Sequence, residues 1–329
     1  MTKPAPRHAA QSRSRAVTRA RRHQAARKSA DRRLHRLPNV VGSCFGIKHT
    51  AGVSTGRLSY TLLVSQKVPD HGLAPAHRIP ATVTRLGRRM PTDVRVIGTL
   101  RRESGFAIDD GTQLGTIGAF ARRADGSLFA LTCAHCIPGG DGDIHTPASL
   151  RVEFPDRFGA IVPLGISADA EISDGTGLQP EFGEFDAAIA ELTGSPDITA
   201  PALLDHVRNC ADLPVYEPPP GRTPEELADL LNFTTVQGWG AASNRVLLGQ
   251  IIGVMVTFEG HFFDLMISAL DGQGLTTVGD SGLVWTGPLG KAYGIHMAGD
   301  GPIDSPSPNT FACFAHRATT RFGVTLLAP

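Results

Sequence analysis

Short apolar runs broken by turn residues recur along most of the chain. Residues 40–47 and 58–64 are strand-length runs bounded by Gly, Thr and Ser, and a third, 93–97, follows Pro91. Pro69, Pro75 and Pro80 mark the loops between them. From Thr112 onward the spacing tightens. Residues 115–120 and 128–132 flank Ala124-Asp125-Gly126, which reads as a hairpin because Asp-Gly supplies the positive φ of a tight turn. The same text runs through 237–257 and 281–296. So many short strands predict barrels or sandwiches. One helix interrupts them. Thr223-Pro224-Glu225-Glu226 is a capping box with Pro at the first helical position, and Leu227, Leu230 and Leu231 follow at helical spacing. No apolar run approaches the roughly 18 to 20 residues of a membrane helix, so no membrane span is expected.

Composition divides the chain. Its net charge of +1 hides an asymmetry: residues 1–36 hold twelve Lys and Arg and one acid, leaving twenty basic and thirty acidic residues elsewhere. Residues 1–37 read as a basic flexible tail, with too few apolar side chains to order itself. Its partner is either its own acidic body or, weakly, a nucleic acid, although no aromatic is interleaved for base stacking. Residues 38–98 read as a small α/β leader domain, 99–112 as a Gly-containing connector, and 113–329 as the strand-rich body. Five cysteines, odd in number and sparsely placed, argue against a secreted disulfide framework. The N-terminus lacks the apolar stretch of a secretory signal. The expectation is a cytoplasmic protein, with organelle import through the basic end as the other route.

Three strings carry chemistry. Leu131-Thr132-Cys133-Ala134-His135-Cys136 follows a predicted strand. Phe185-Asp186-Ala187-Ala188 opens an apolar strand. Gly279-Asp280-Ser281-Gly282 is a Gly-flanked turn before Leu283-Val284-Trp285. A serine hydroxyl is a weak nucleophile that needs a base within reach. Imidazole suits that task, and a buried carboxylate fixes its tautomer. An oxyanion needs fixed N–H donors, which the Gly279 and Ser281 amides could supply. Glu184, Glu181 and Asp174 are the alternative acids. Cys133-x-x-Cys136 could be half a zinc site, but Cys210 and Cys313 stand alone, so no metal and no cofactor are expected.

These strings resemble the three signature blocks of the chymotrypsin-like serine peptidases. His135 sits in a Thr-Ala-Ala-His-Cys-like string in which Cys133 replaces the first Ala. Asp186 opens an Asp-Ile-Ala-like strand, and Gly279–Gly282 matches Gly-Asp-Ser-Gly without change. The order His, Asp, Ser is also the family's. Gly115–Phe120 and the leader resemble, more narrowly, bacterial relatives of the plant narrow-leaf trypsin-like peptidase. The resemblance implies two six-stranded antiparallel β-barrels and hydrolysis of a protein or peptide by a His135–Asp186–Ser281 triad. It departs at Leu283-Val284, where Gly-Pro is usual. Cys136 also has no upstream disulfide partner, and no Ile-Val-Gly-Gly-like activation site precedes the barrel, so no trypsin-style cleavage is expected and Asp280 needs another partner. Leu275, six before Ser281, is not the acid of trypsin-type specificity; a gapped alignment would put Asp271 there. His296, Met297 and Gly299 fall on the implied substrate-binding strand. A His at such a place reads Gln or Glu in related peptidases; the alternative is a structural His on a strand face.

Overall fold

A computed structural model of the chain describes residues 32–85, 88–102, 105–106, 113–136, 147–150, 162–173, 183–192, 201–219, 223–232, 234–270, 274–287, 289–302 and 305–328. The structure is mainly β. In its first part, β1 (Val40–Thr50), β2 (Val53–Val64), β3 (Thr82–Arg85) and β4 (Arg88–Val96) surround two 3₁₀ turns, and β5 (Leu100–Arg102) follows. β1 and β2 form a hairpin; β2 then pairs in parallel with β4, and β3 caps the edge. Of the basic segment, residues 1–31 lie outside the described residues, while Leu34 is buried.

The pair β6 (Gly105–Phe106) and β7 (Gln113–Leu114) leads into a sheet built from β8 (Ala119–Arg123), β9 (Leu128–Thr132), β10 (Pro147–Leu150), β11 (Val162–Ser173) and β12 (Phe185–Leu192). The β8–β9 hairpin turns where Asp-Gly places it, with Gly126 at φ 90°. Every residue of β9 is buried, because both of its faces are covered.

The remaining strands are β13 (Thr235–Gly240), β14 (Arg245–Phe258), β15 (His261–Ala269), β16 (Val284–Thr286), β17 (Ala292–Asp300), β18 (Asn309–Phe314) and β19 (Val324–Leu327). Their pairings run β13-β16-β17-β18-β15-β14 and return from β14 to β13, a closed ring of six. The other sheet has the order β10-β11-β12-β9-β8-β19, so the C-terminal strand crosses back to it. Six strands are present there, but among the described residues its two ends do not pair.

The segment 38–98 does not make a sheet of its own. β1 lies along the end of β14, and the ring and the β1–β4 layer share one continuous sheet. The burial of β14 alternates at first and becomes continuous from Val254, over the stretch where β1 is its edge neighbour and where its two faces pack into two different cores. One core fills the space between the two sheets, with Phe129, Leu131 and Ile189 facing Phe258, Phe263 and Phe311. Another joins the ring interior, including Leu247, Leu265 and Trp285, to Phe45, Tyr60 and Leu62 of the first hairpin. The expected capping box forms reciprocally, Thr223 N donating to Glu226 Oε2 at 2.8 Å and Glu226 N to Thr223 Oγ1 at 3.2 Å, but it closes a turn: the α-helix itself is only Ala228–Leu231, with Leu227 as its N-cap.

Candidate active site

β9 and β12 are neighbours, with Thr132 opposite Ala188. The chain leaving β9 enters a 3₁₀ turn, Ala134–Cys136, which swings His135 over the start of β12. Asp186 is buried there, and its charge is met by three donors. Oδ1 accepts from the amides of Ala134 (2.8 Å) and His135 (3.2 Å), and Oδ2 from His135 Nδ1. A carboxylate only accepts, so Nδ1 carries the proton and Nε2 is the working nitrogen. Nε2 is buried and has no hydrogen-bond partner among the described residues.

Electrostatics at His135 are a contest. Burial disfavours the imidazolium, but the hydrogen bond to Asp186, with a further contribution from the Cys136 thiol, outweighs it and raises the group from 6.5 to about 10. Cys136 shifts the other way: the Cys133 thiol stabilises its thiolate most, burial opposes, and His135 adds to the lowering. Burial pushes the Cys133 thiol up. Cys133, His135 and Asp186 could each offer a metal one atom, all within 4.8 Å. However, His135 and Asp186 are bonded to each other, and the Cys133 thiol donates to His296 O at 3.0 Å.

Ser281 sits in the turn before β16. Gly279 and Gly282 take φ 101° and 97°, conformations that side-chain-bearing residues avoid. A Cβ at Gly282 would also strike Thr116 O and the Thr132 side chain. Among the described residues, neither the Gly279 nor the Ser281 amide has an acceptor. The turn is held from outside. Thr116 N donates to Ser281 O at 2.7 Å and Thr116 Oγ1 to Gly279 O at 3.1 Å. Asp280 is buried and finds its partners within the chain. Its carboxylate accepts from the amides of Ala242, Ser243 and Thr277 at 3.0–3.1 Å and from the Ser243 hydroxyl. Ser281 is wholly buried, and its Oγ donates to Met297 O at 3.5 Å rather than to His135.

The other anticipated residues fall as follows. His296 is fully buried, its Nδ1 bonded to Thr310 Oγ1 and its ring edge-on to Trp285. Met297 follows it on β17 and lines a cavity of about 190 Å³ with Asp186, Glu184, His261 and Leu100. Gly299 lies opposite Thr310 on β18. Leu275 is buried in the ring core. Glu184 pairs with His261 Nδ1 at 2.8 Å, not with His135. Glu181, Asp174 and Asp271 lie outside the described residues. All five cysteines are thiols.

Sequence reading passed over Thr116, although the Gly115 and Gly118 spacing signalled a close approach: a Cβ on Gly118 would lie 2.7 Å from Val284 N. It also missed the ion pair of Asp264 and Arg317 (2.9 Å), which ties the approach to β12 onto the ring. Arg317 Nη1 also donates to Glu184 O, and Asp264 Oδ1 accepts from Gly183 N. Nothing local in the sequence marks that pair.

No family model matches this sequence, and no curated protein matches it. Solved structures of similar chain path include a Nocardiopsis protease (16% identity, TM-score 0.40, covering 70% of this chain and 98% of that one). A glutamic acid-specific serine protease, described as using a histidine triad in substrate binding, is 17% identical with TM-score 0.38, covering 70% and 97%. Protease Anisep from Arthrobacter nicotinovorans is 16% identical with TM-score 0.34, covering 66% and 87%. The chemistry of the site rests on its own residues.

Proposed function

We propose that this chain is a serine endopeptidase that hydrolyses peptide bonds by acyl transfer. The observation that carries the reading is the His135–Asp186 pair, in which a buried carboxylate with three donors holds Nδ1–H and leaves Nε2 as the base. Ser281 Oγ attacks the carbonyl carbon, and His135 Nε2 takes its proton and returns it to the leaving amine. Water then opens the acyl-enzyme by the same route in reverse. The Gly279 and Ser281 amides receive the oxyanion. In the present arrangement the hydroxyl faces Met297 O, so a change of χ1 at Ser281 must precede attack.

A second reading, a catalytically silent binding protein on a peptidase-like fold, draws on the complete burial of Ser281. A preference for Gln or Glu would rest on His296, whose ring is enclosed by Thr310 and Trp285. Treatment of the purified protein with a fluorophosphonate probe separates the readings. Labelling lost in both Ser281→Ala and His135→Ala supports the peptidase. A folded parent that never labels means either a silent protein or an active site closed by another part of the chain.

A further inference from the structure

β17 runs past the nucleophile with two edges. β18 pairs with one of them as far as Gly299. β16 and the turn before it cover the other as far as His296, so beyond Met297 that edge can receive any extended chain. The molecule fills it itself. β5 pairs antiparallel there, with Arg102 opposite Ala298, Arg101 opposite Gly299 and Leu100 opposite Asp300. The position is next to the chemistry: Met297 O accepts the Ser281 hydroxyl, and Leu100 lines the cavity that Asp186 and Met297 share.

We propose that residues 99–102 are a cis-acting strap, seated on the edge that reads an extended peptide substrate, and that catalysis requires its release. This rests on the peptidase reading. The bonds that hold the strap include the following. Gly98 N donates to Asp300 Oδ2 at 2.9 Å, Gly301 N to Thr99 O at 2.9 Å, and Leu100 N to Glu259 Oε2 at 3.3 Å. Arg101 is buried, and its guanidinium donates to the carbonyls of Pro302 and, at 3.4 Å, Thr276. Those carbonyls would serve the guanidinium of any incoming chain equally well, since its planar fork carries five donors. The occupant therefore also indicates the substrate class: an extended peptide with Arg opposite Gly299. Tethering makes the seated strap an intramolecular competitor that a free peptide cannot match. Among the described residues its ladder is three residue pairs long, at the end of β17, so it can leave without unravelling the sheet.

The test uses the full chain carrying Ser281→Ala and a dye-labelled peptide with the sequence of residues 98–102, followed by fluorescence anisotropy. Adding Arg101→Ala removes the strap's buried anchor, and peptide binding is expected to tighten about ten- to a hundred-fold. Gly98→Ala should act by a different route, because its Cβ would lie 2.6 Å from Gly301 N and push the strap off. It covers the case in which Arg101→Ala fails to fold. With Ser281 restored, each folded variant should react with the fluorophosphonate faster than the parent by a similar factor. Equal peptide binding by the parent and by folded variants would overturn the strap: equally weak, it makes β5 a permanent strand, and equally tight, it shows that β5 does not compete with the peptide. Binding released as expected, with no labelling of Ser281 in any variant, would uphold the occupied edge and sink the peptidase reading instead.

Discussion

His135 is the residue at which opposing effects meet. Its value is raised to about 10, so the imidazolium is favoured while Asp186 and Cys136 both act on it. Fluorophosphonate labelling should therefore climb with pH through that value. Cys136→Ala should move the midpoint of the rate profile downward, because a contribution favouring the cation is gone. The same shift sets a stability trend. A folded value above the unfolded 6.5 stabilises fully below 6.5, and that contribution is lost as pH rises through about 10. Thermal melts should fall across that window in the parent, and less so in His135→Gln. Asp280 carries a second residue-scale prediction. Asparagine keeps one acceptor oxygen where the carboxylate serves the Ala242, Ser243 and Thr277 amides. Asp280→Asn should loosen the turn that aims the Gly279 and Ser281 amides and slow labelling about 100-fold, the order of one lost oxyanion donor. An unchanged rate would detach Asp280 from the site.

At the scale of elements, what was legible in the sequence is what is local. The capping box at Thr223 is four consecutive residues and forms as written. Asp-Gly at 125–126 turns the β8–β9 hairpin because its requirement is a single positive φ. The His, Asp and Ser strings could be read because each places its side chain with its own few residues. What could not be read depends on strands meeting at long range. Arg317 reaches Asp264, 53 residues away, only because the Ala315–Phe322 helix follows β18, the neighbour of β15. The strap looked like a plain connector because its partner strand lies some 200 residues further on. The two kinds of feature should differ in cost. Thr223→Ala removes one exchangeable cap and should cost about 1 kcal/mol. Asp264→Ala leaves a guanidinium buried without its counter-charge and should cost about 3 to 5 kcal/mol. Chemical denaturation of both variants checks the ordering, which a solvent-screened Asp264–Arg317 pair would reverse.

For the whole molecule, the question is whether residues 38–98 are an appendage or part of the body. Read by pattern they are a separate leader, because their strands sit between proline-marked loops and contain no chemical motif. The pairing of β1 with β14 makes them part of the sheet that also forms the ring. Phe45, Tyr60, Leu62 and Leu63 are all fully buried, two of the cores drawing on this hairpin. At roughly 1.5 to 3 kcal/mol for each side chain, their loss amounts to on the order of 10 kcal/mol. That equals the net stability of a typical domain, about 5 to 15 kcal/mol. Removing residues 1–98 would also bare the end of β14 as an unpaired apolar edge. The truncated chain should therefore aggregate or remain unfolded by size-exclusion chromatography and circular dichroism. A monodisperse, folded product would show that the ring and its partner sheet are self-sufficient. The hairpin would then be a covering whose buried side chains the body can do without.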